Sequence, residues 1–216
     1  MVAQTKSWTQ WVSGWPIVTL LVLFSTSGAS AKYCLQSEPI GVAVVIGDGQ
    51  AHFHGDAEIC PNGQAYCPER AYVIPGDHVL TSVSQGGYTC VDVPGNTQTT
   101  SGWIETKRLR PEALNSSPPS SAWEGNWNSE AVMRIKIGHD GSGLRATGLD
   151  EWENGDGRYH HAEFSGRLIT TGNRAHLKDG ECSIELKLLG TFLIVVEDDN
   201  SCGDPNTSFR GYYRRK

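Results

Sequence analysis

The sequence predicts an all-β protein built from two small antiparallel domains, each held by disulfides. Three observations carry that expectation. Short β-branched or alternating runs recur at close spacing between Gly, Pro, Asn and Asp turns. No stretch keeps a helical apolar period over a useful length. All six cysteines (Cys34, Cys60, Cys67, Cys90, Cys182 and Cys202) follow a leader-like amino terminus and divide four and two around a polar Ser/Pro run.

The amino terminus has the layout of a secretory signal peptide over residues 1–31. Lys6 supplies the positive charge, no acidic residue precedes Glu38, and an apolar run from Ile17 to Phe24 is broken only by Thr19. The small residues "STSGASA" follow, with Ala29 and Ala31 in the A-x-A arrangement that precedes cleavage, so the mature chain is expected to start at Lys32. A membrane-spanning helix needs about 20 apolar residues, which this run does not reach. A lipid anchor needs a Cys directly after the cleavage site, whereas Lys32 and Tyr33 precede Cys34. Loss of the leader removes one Lys from the 18 basic residues and none of the 24 acidic ones, leaving a formal charge of −7. That acidity argues against nucleic acid, which is held through basic stripes, and against anionic lipid. The one dense basic cluster in the sequence is the terminal "RGYYRRK".

An even cysteine count in an exported chain reads as disulfides. No C-x-x-C pair offers the spacing common in zinc sites. The four cysteines of the first half allow three pairings, between which sequence does not choose; Cys34–Cys90 with Cys60–Cys67 is the favoured one, and Cys182–Cys202 closes the second half. The expected domains are residues 32–114 and 123–216, joined by "NSSPPSSA" over 115–122, a linker with nothing fit for a core. Cores of this size are marginal without staples.

In the first half, "VAVVI" ends in a Gly-Asp-Gly turn, and "AYVIPGDHVLTSV" places strands on both sides of a Pro-Gly-Asp turn. "GGYTCVDV" alternates with Tyr88 and Cys90 on one face, and "SGWIETKRLRP" gives a Gly-Trp strand and a short terminal turn. Strands of this length with such turns indicate a small barrel. From about Ala71 to Pro111, the order "YVIPGDHVL", "GYTCVDV", "TSGWIETKRL" resembles a bacterial Src-homology-3-like domain. The resemblance implies an adaptor that binds cell-wall peptides or protein segments, with Tyr72, Tyr88 and Trp103 near the ligand. The other reading of Tyr88 and Trp103 is plain core, since buried aromatics dominate small cores.

The second half is more regular. "AVMRIKI" sets Met133, Ile135 and Ile137 against Val132, Arg134 and Lys136, and "SIELKLLG" sets Ile184, Leu186 and Leu188 against Ser183, Glu185 and Lys187. "TFLIVVED" is an almost continuous apolar strand, and "SFRGYYRR" puts Phe209, Gly211, Tyr213 and Arg215 on one face. Seven or eight strands with short turns predict a closed or nearly closed up-and-down barrel, because closure removes exposed edges. Gly125-Asn126-Trp127 is similar to the G-x-W start of lipocalin-like barrels, in which a late Arg lies across the Trp; Arg215 is the candidate here. From Trp123 to Arg215 the chain also resembles the carboxy-terminal domain of periplasmic proteins grouped with the LprI-type lysozyme inhibitors. The Cys-rich helical segment that often precedes that domain is absent from this sequence.

Few residues suggest chemistry. His161 and Glu163 share a strand face while His160 points the other way, which gives too few ligands for a metal site. His52, His54 and Asp56 have a similar shape, and "EDDNSCGDPN" is rich in oxygen ligands but lacks calcium-loop spacing. No nucleophile elbow, H-E-x-x-H or phosphate loop is present. The expectation is therefore a non-enzymatic binding protein of the bacterial envelope, periplasmic or secreted, with no cofactor and no metal. Its partner would be a cell-wall peptide or glycan, or a basic protein such as lysozyme, with Tyr72, Tyr88, Trp103, His161 and Glu163 as the candidate binding residues. A small-ligand carrier using the second barrel and a wall-glycan hydrolase are the alternatives.

Overall fold

The computed structural model describes Cys34, Cys60 and residues 38–55, 67–95, 98–129, 133–153, 155–198, 201–204 and 207–215. The expected leader, Asp56 and part of the acidic turn near Asp199 lie outside them. Strands account for the regular structure among the described residues, apart from 3-10 turns at Cys34, Thr106–Arg108 and Ser120–Ala122. They form two antiparallel sheets, and residues 31–216 cluster as one unit.

The first sheet contains β1 (Gly41–Val45), β2 (Ala51–His54), β3 (Pro68–Val73), β4 (His78–Gln85), β5 (Tyr88–Pro94), β6 (Thr99–Glu105) and β7 (Leu109–Pro111), in the order β3-β2-β6-β5-β4-β1-β7. Alternation along these strands turns Ala43, Val45, Phe53, Val79, Val91 and Ile104 into one buried cluster. On the other side of β5 and β6, the Cys34–Cys90 bond packs on Trp103.

The second sheet contains β8 (Gly125–Asn128), β9 (Arg134–His139), β10 (Leu144–Glu153), β11 (Tyr159–Arg167), β12 (Ile169–Thr171), β13 (Arg174–Asp179), β14 (Cys182–Leu189), β15 (Phe192–Asp198) and β16 (Gly211–Arg215). Their order is β11-β10-β9-β8-β16-β15-β14-β13-β12. Ile135, Ile137, Ile184, Leu186 and Leu188 face its interior, as the alternation predicted, together with Trp123, Trp127, Phe164, Phe209 and Tyr213. The first and last strands pair, Trp127 with Arg215, which is the joint that an up-and-down ring needs.

Neither sheet closes into a barrel, which corrects the closed form expected from the sequence. The second sheet ends on β11 and β12, and at that break β11 runs against the part of β13 that β12 leaves unpaired. Gly166 approaches so near that a Cβ there would stand 3.0 Å from the Lys178 carbonyl oxygen. Next to it, the Ser165 amide donates to the Asp179 carboxylate at 2.8 Å. A side chain thus takes the place of a backbone ladder bond. Farther along β11, the segment 201–204 covers the free edge: Glu163 N–H donates to Cys202 O, Asp204 N–H to His161 O, and His161 N–H to the Asp204 carboxylate. The Cys182–Cys202 bond fastens that segment to β14. Uncovered strand edges invite pairing with other chains, so this cover serves the role that closure would have served.

The pairings Cys34–Cys90, Cys60–Cys67 and Cys182–Cys202 are present. The apolar run of β15 is buried on both faces for a reason that the sequence did not show. Leu193 and Val195 face the interior of the second sheet, while Phe192 and Ile194, with Leu189, pack on Val42 and Leu80 of the first. Full burial of such a side chain stabilises by about 1.5–3 kcal/mol. Polar contacts flank this apolar seam. Lys187, 8% exposed, donates to Glu38 at 2.8 Å and to the Pro39 carbonyl at 2.9 Å. Asp92, also buried, accepts from Ser101 Oγ at 2.5 Å and from Tyr212 Oη at 3.1 Å.

Arg215 lies over Trp127, 4.7 Å from the ring, and donates to the Ala122 carbonyl, while Trp127 Nε1 donates to Trp123 O at 2.9 Å. Gly125 makes room for this: its φ is +140°, and a Cβ would sit 3.2 Å from the Arg215 side chain. Arg215→Ala should lower the melting temperature, by a loss of about 0.5–2 kcal/mol, in a thermal melt followed by circular dichroism; an unchanged melt removes the role.

Burial raises the Asp92 pKa above its ordinary value of 3.8, and the Ser101 and Tyr212 hydrogen bonds offset part of that rise. The folded state therefore binds the proton more tightly than the unfolded one. The resulting stabilisation is full below the ordinary carboxylate pKa and is lost as pH rises through the raised value. Asp92→Asn should gain stability relative to the native chain as pH climbs through that window. The slope has a limit of about 1.4 kcal/mol per pH unit, and chemical denaturation across pH measures it.

Candidate functional site

Four antiparallel strands present their outward side chains in register. Along one row, Asn126 pairs with Lys136, Lys136 with Thr147, and Thr147 with Ser165. Along the next, Asn128 pairs with Arg134, Arg134 with Leu149, and Leu149 with Glu163. This face holds a groove of about 650 Å³, with Asp179 at its β13 side. The inward residues of the same strands, such as Ile135 and Phe164, hold it from below. Cations therefore stand on β9 and acids on β11 and β13. Amides and hydroxyls lie among them, and Leu149 is the apolar element.

Glu163, expected from the sequence, lies in this groove. His161 lies two residues away on the same face, where its Nδ1 is 3.5 Å from Glu151 and its Nε2 3.5 Å from Glu163. His160 faces the other way and stacks on Trp152, with ring centres 4.4 Å apart. Asp150, on the interior side of β10, has its pKa raised by burial, and the nearby His161 offsets part of that. Among the described residues, no group of three or more His, Cys, Asp or Glu could hold a metal ion.

The residues expected to bind on the first sheet are separated by burial. Trp103 has no exposed surface and packs with Cys34 and Cys90. Tyr72 is 49% exposed on the edge strand β3, beside His52 with ring centres 5.7 Å apart. Tyr88 meets His54 at 4.8 Å. Because His52 and His54 are two apart on one strand, they share a face and stand in a row with the two tyrosines. Burial lowers the His54 pKa; Glu105 and Glu69 work against that shift, and His52 adds to it.

Sequence reasoning missed the groove, apart from Glu163. Its one visible signal was the outward pair Arg134 and Lys136 in "AVMRIKI". Pairing register, which sequence does not give, is what aligns them with Asn126, Asn128, Thr147 and Ser165.

No protein-family model matches this chain, and neither a curated protein nor a solved structure proves significantly similar to it.

The Ser165–Asp179 bond joins the groove's last strand to β13, so Asp179→Ala should speed hydrogen exchange of the Ser165 amide. Amide exchange followed by nuclear magnetic resonance measures this, with the Ile135 amide on β9 as the reference that stays unchanged.

Proposed function

We propose that this chain is an exported binding protein of the cell envelope whose groove on β8–β11 holds a cell-wall peptide or glycan without transforming it. The observation that carries this reading is the pair of in-register polar rows. Three strand spacings of roughly 4.8 Å stretch each row over about 14 Å, so its polar groups are spread along a ligand and do not converge on one atom. The cations of β9 and Glu163 on β11 are two spacings apart, about 10 Å. A ligand with an anionic group at one end and an amino group at the other fits that separation, as a short peptide carrying both charges does. The amides of Asn126 and Asn128 and the hydroxyls of Thr147 and Ser165 suit hydroxyl and amide groups between those ends. Three disulfides are compatible with an oxidising, extracellular or periplasmic setting, and no described helix is long and apolar enough to cross a membrane.

One feature supports a protein partner as a second reading. The side chains of Glu151, His161 and Glu163 form an acidic ridge next to the groove, and a mature chain at −7 attracts a basic protein such as lysozyme over long range. A small-ligand carrier gains no support, because the aromatic and aliphatic side chains of the interior cluster fill the second sheet.

The test is a pull-down of purified peptidoglycan, its soluble stem peptides, and lysozyme at low and high salt. Stem peptides should bind the native chain and bind the double variant Arg134→Ala with Glu163→Gln roughly tenfold or more weakly, which is about 1.4 kcal/mol. Retention of lysozyme with no peptide binding moves the function to the acidic ridge. Retention of neither overturns both readings.

A further inference from the structure

A second concavity, of about 590 Å³, opens where the two sheets meet, lined by Asp77, His78, Val93, Thr191, Phe192 and Arg214 together with Gly76 and Arg215. Its cations are not equivalent. Arg215 is engaged with Trp127 and the Ala122 carbonyl. His78 is paired with Glu112 at 3.0 Å. Arg214 instead lays its guanidinium over the Phe192 ring, 5.3 Å from the centroid, and makes no ion pair with any described residue. Asp77, the acid that lines the cleft, accepts the Ile74 amide at 2.9 Å.

We propose that this cleft is an oxyanion site, in which the Arg214 guanidinium receives a carboxylate or phosphate group from a small ligand lodged between the sheets. Three features favour it. Cross-strand pairing sets the Arg214 guanidinium over the Phe192 ring at the cleft, and its planar fork matches the two oxygens of a carboxylate or phosphate. The apolar floor of Phe192 and Val93 reduces the water that would compete for those bonds. Partial desolvation also lowers the guanidinium pKa, against the opposing effect of Asp77, so an added anion restores part of what the cation lost on burial. Thr191 supplies a hydroxyl at the rim, and Asp77 sets a negative limit on one side, which favours a ligand with a single compact anionic group.

The site also has a consequence for the fold. Gly76, Asp77 and His78 belong to the turn into β4, whereas Phe192 and Arg214 belong to β15 and β16. An occupant therefore touches both sheets and adds its binding energy to the seam between them, raising the melting temperature by mass action.

The test titrates the whole chain with inorganic phosphate and, separately, with acetate, at ionic strength held constant with sodium chloride. It reads the thermal midpoint and the backbone amide shifts. The native chain should gain stability with at least one probe, with shifts at Asp77, His78, Thr191 and Phe192; which probe is stronger assigns the ligand as phosphate or carboxylate. Arg214→Gln should bind about tenfold or more weakly, as expected for losing one charge-assisted pair. Arg70→Gln, which removes a positive charge from β3 at the opposite edge of the first sheet, should bind as the native chain does. If Arg214→Gln folds poorly, Arg214→Lys keeps the charge, loses the fork, and should fall between the two. The proposal is overturned if neither probe binds, if Arg214→Gln binds like the native chain, or if the shifts map to Arg134 and Lys136 in the outer groove. The last result would leave the reading of that groove intact.

Discussion

Strand β15 has no polar face to spare, and much of the architecture follows from that. Phe192, Leu193, Ile194 and Val195 are each buried, alternately toward the interior of the second sheet and toward Val42 and Leu80 of the first. A strand with both faces apolar must be covered on both sides. One cover is the sheet to which it belongs, and the other is the flank of β1 and β4. Separating the sheets would return Phe192, Ile194 and Leu189 to water along with Val42 and Leu80. It would also break the Tyr212–Asp92 and Lys187–Glu38 bonds that cross the seam. The seam therefore combines an apolar centre, which supplies adhesion, with two polar contacts that fix how the sheets are set against each other.

The second constraint is the break in the ring. An up-and-down meander with its first and last strands paired still leaves this sheet open, where β11 passes the stretch of β13 that β12 does not pair. The chain answers with a carboxylate on one backbone amide and a disulfide-held segment along the rest of the edge. Cys182–Cys202 thus stabilises more than a loop. It keeps the outer strand of the groove, β11, from presenting free backbone groups.

Much of this was legible in the residues. Alternation in "AVMRIKI" and "SIELKLLG" assigned the inward side chains of β9 and β14, because a half-buried strand has only two faces to choose between. Gly125, Trp127 and Arg215 were matched through the resemblance of Gly125-Asn126-Trp127 to the G-x-W start of lipocalin-like barrels, in which a late arginine lies across the tryptophan. The almost continuous apolar run of β15 could not say what lay against its second face, since that cover comes from Val42 and Leu80, about 110 to 150 positions earlier. Trp103 and Tyr88 looked alike as strand aromatics. Both pack in the cluster of Cys34 and Cys90, but Trp103 is wholly buried and Tyr88 only partly, a matter of tertiary path. The two polar rows were invisible for a similar reason: each holds one residue from each of four strands, and only register brings them together.

Charge gives these sites a shared logic. The mature chain expected from the sequence carries −7, so its long-range field repels anions and draws basic partners. Within that field the structure gathers Arg134 and Lys136 in one concavity and Arg214 in another. Salt screens the outer field within about 8–10 Å, while a cation in a recess, backed by an aromatic ring or flanked by amides, keeps its attraction at contact range. An anionic group is then accepted only where shape lets it reach those residues. On the proposed reading, an acidic chain with basic recesses selects its anions by fit, and the same arrangement limits nonspecific capture of polyanions.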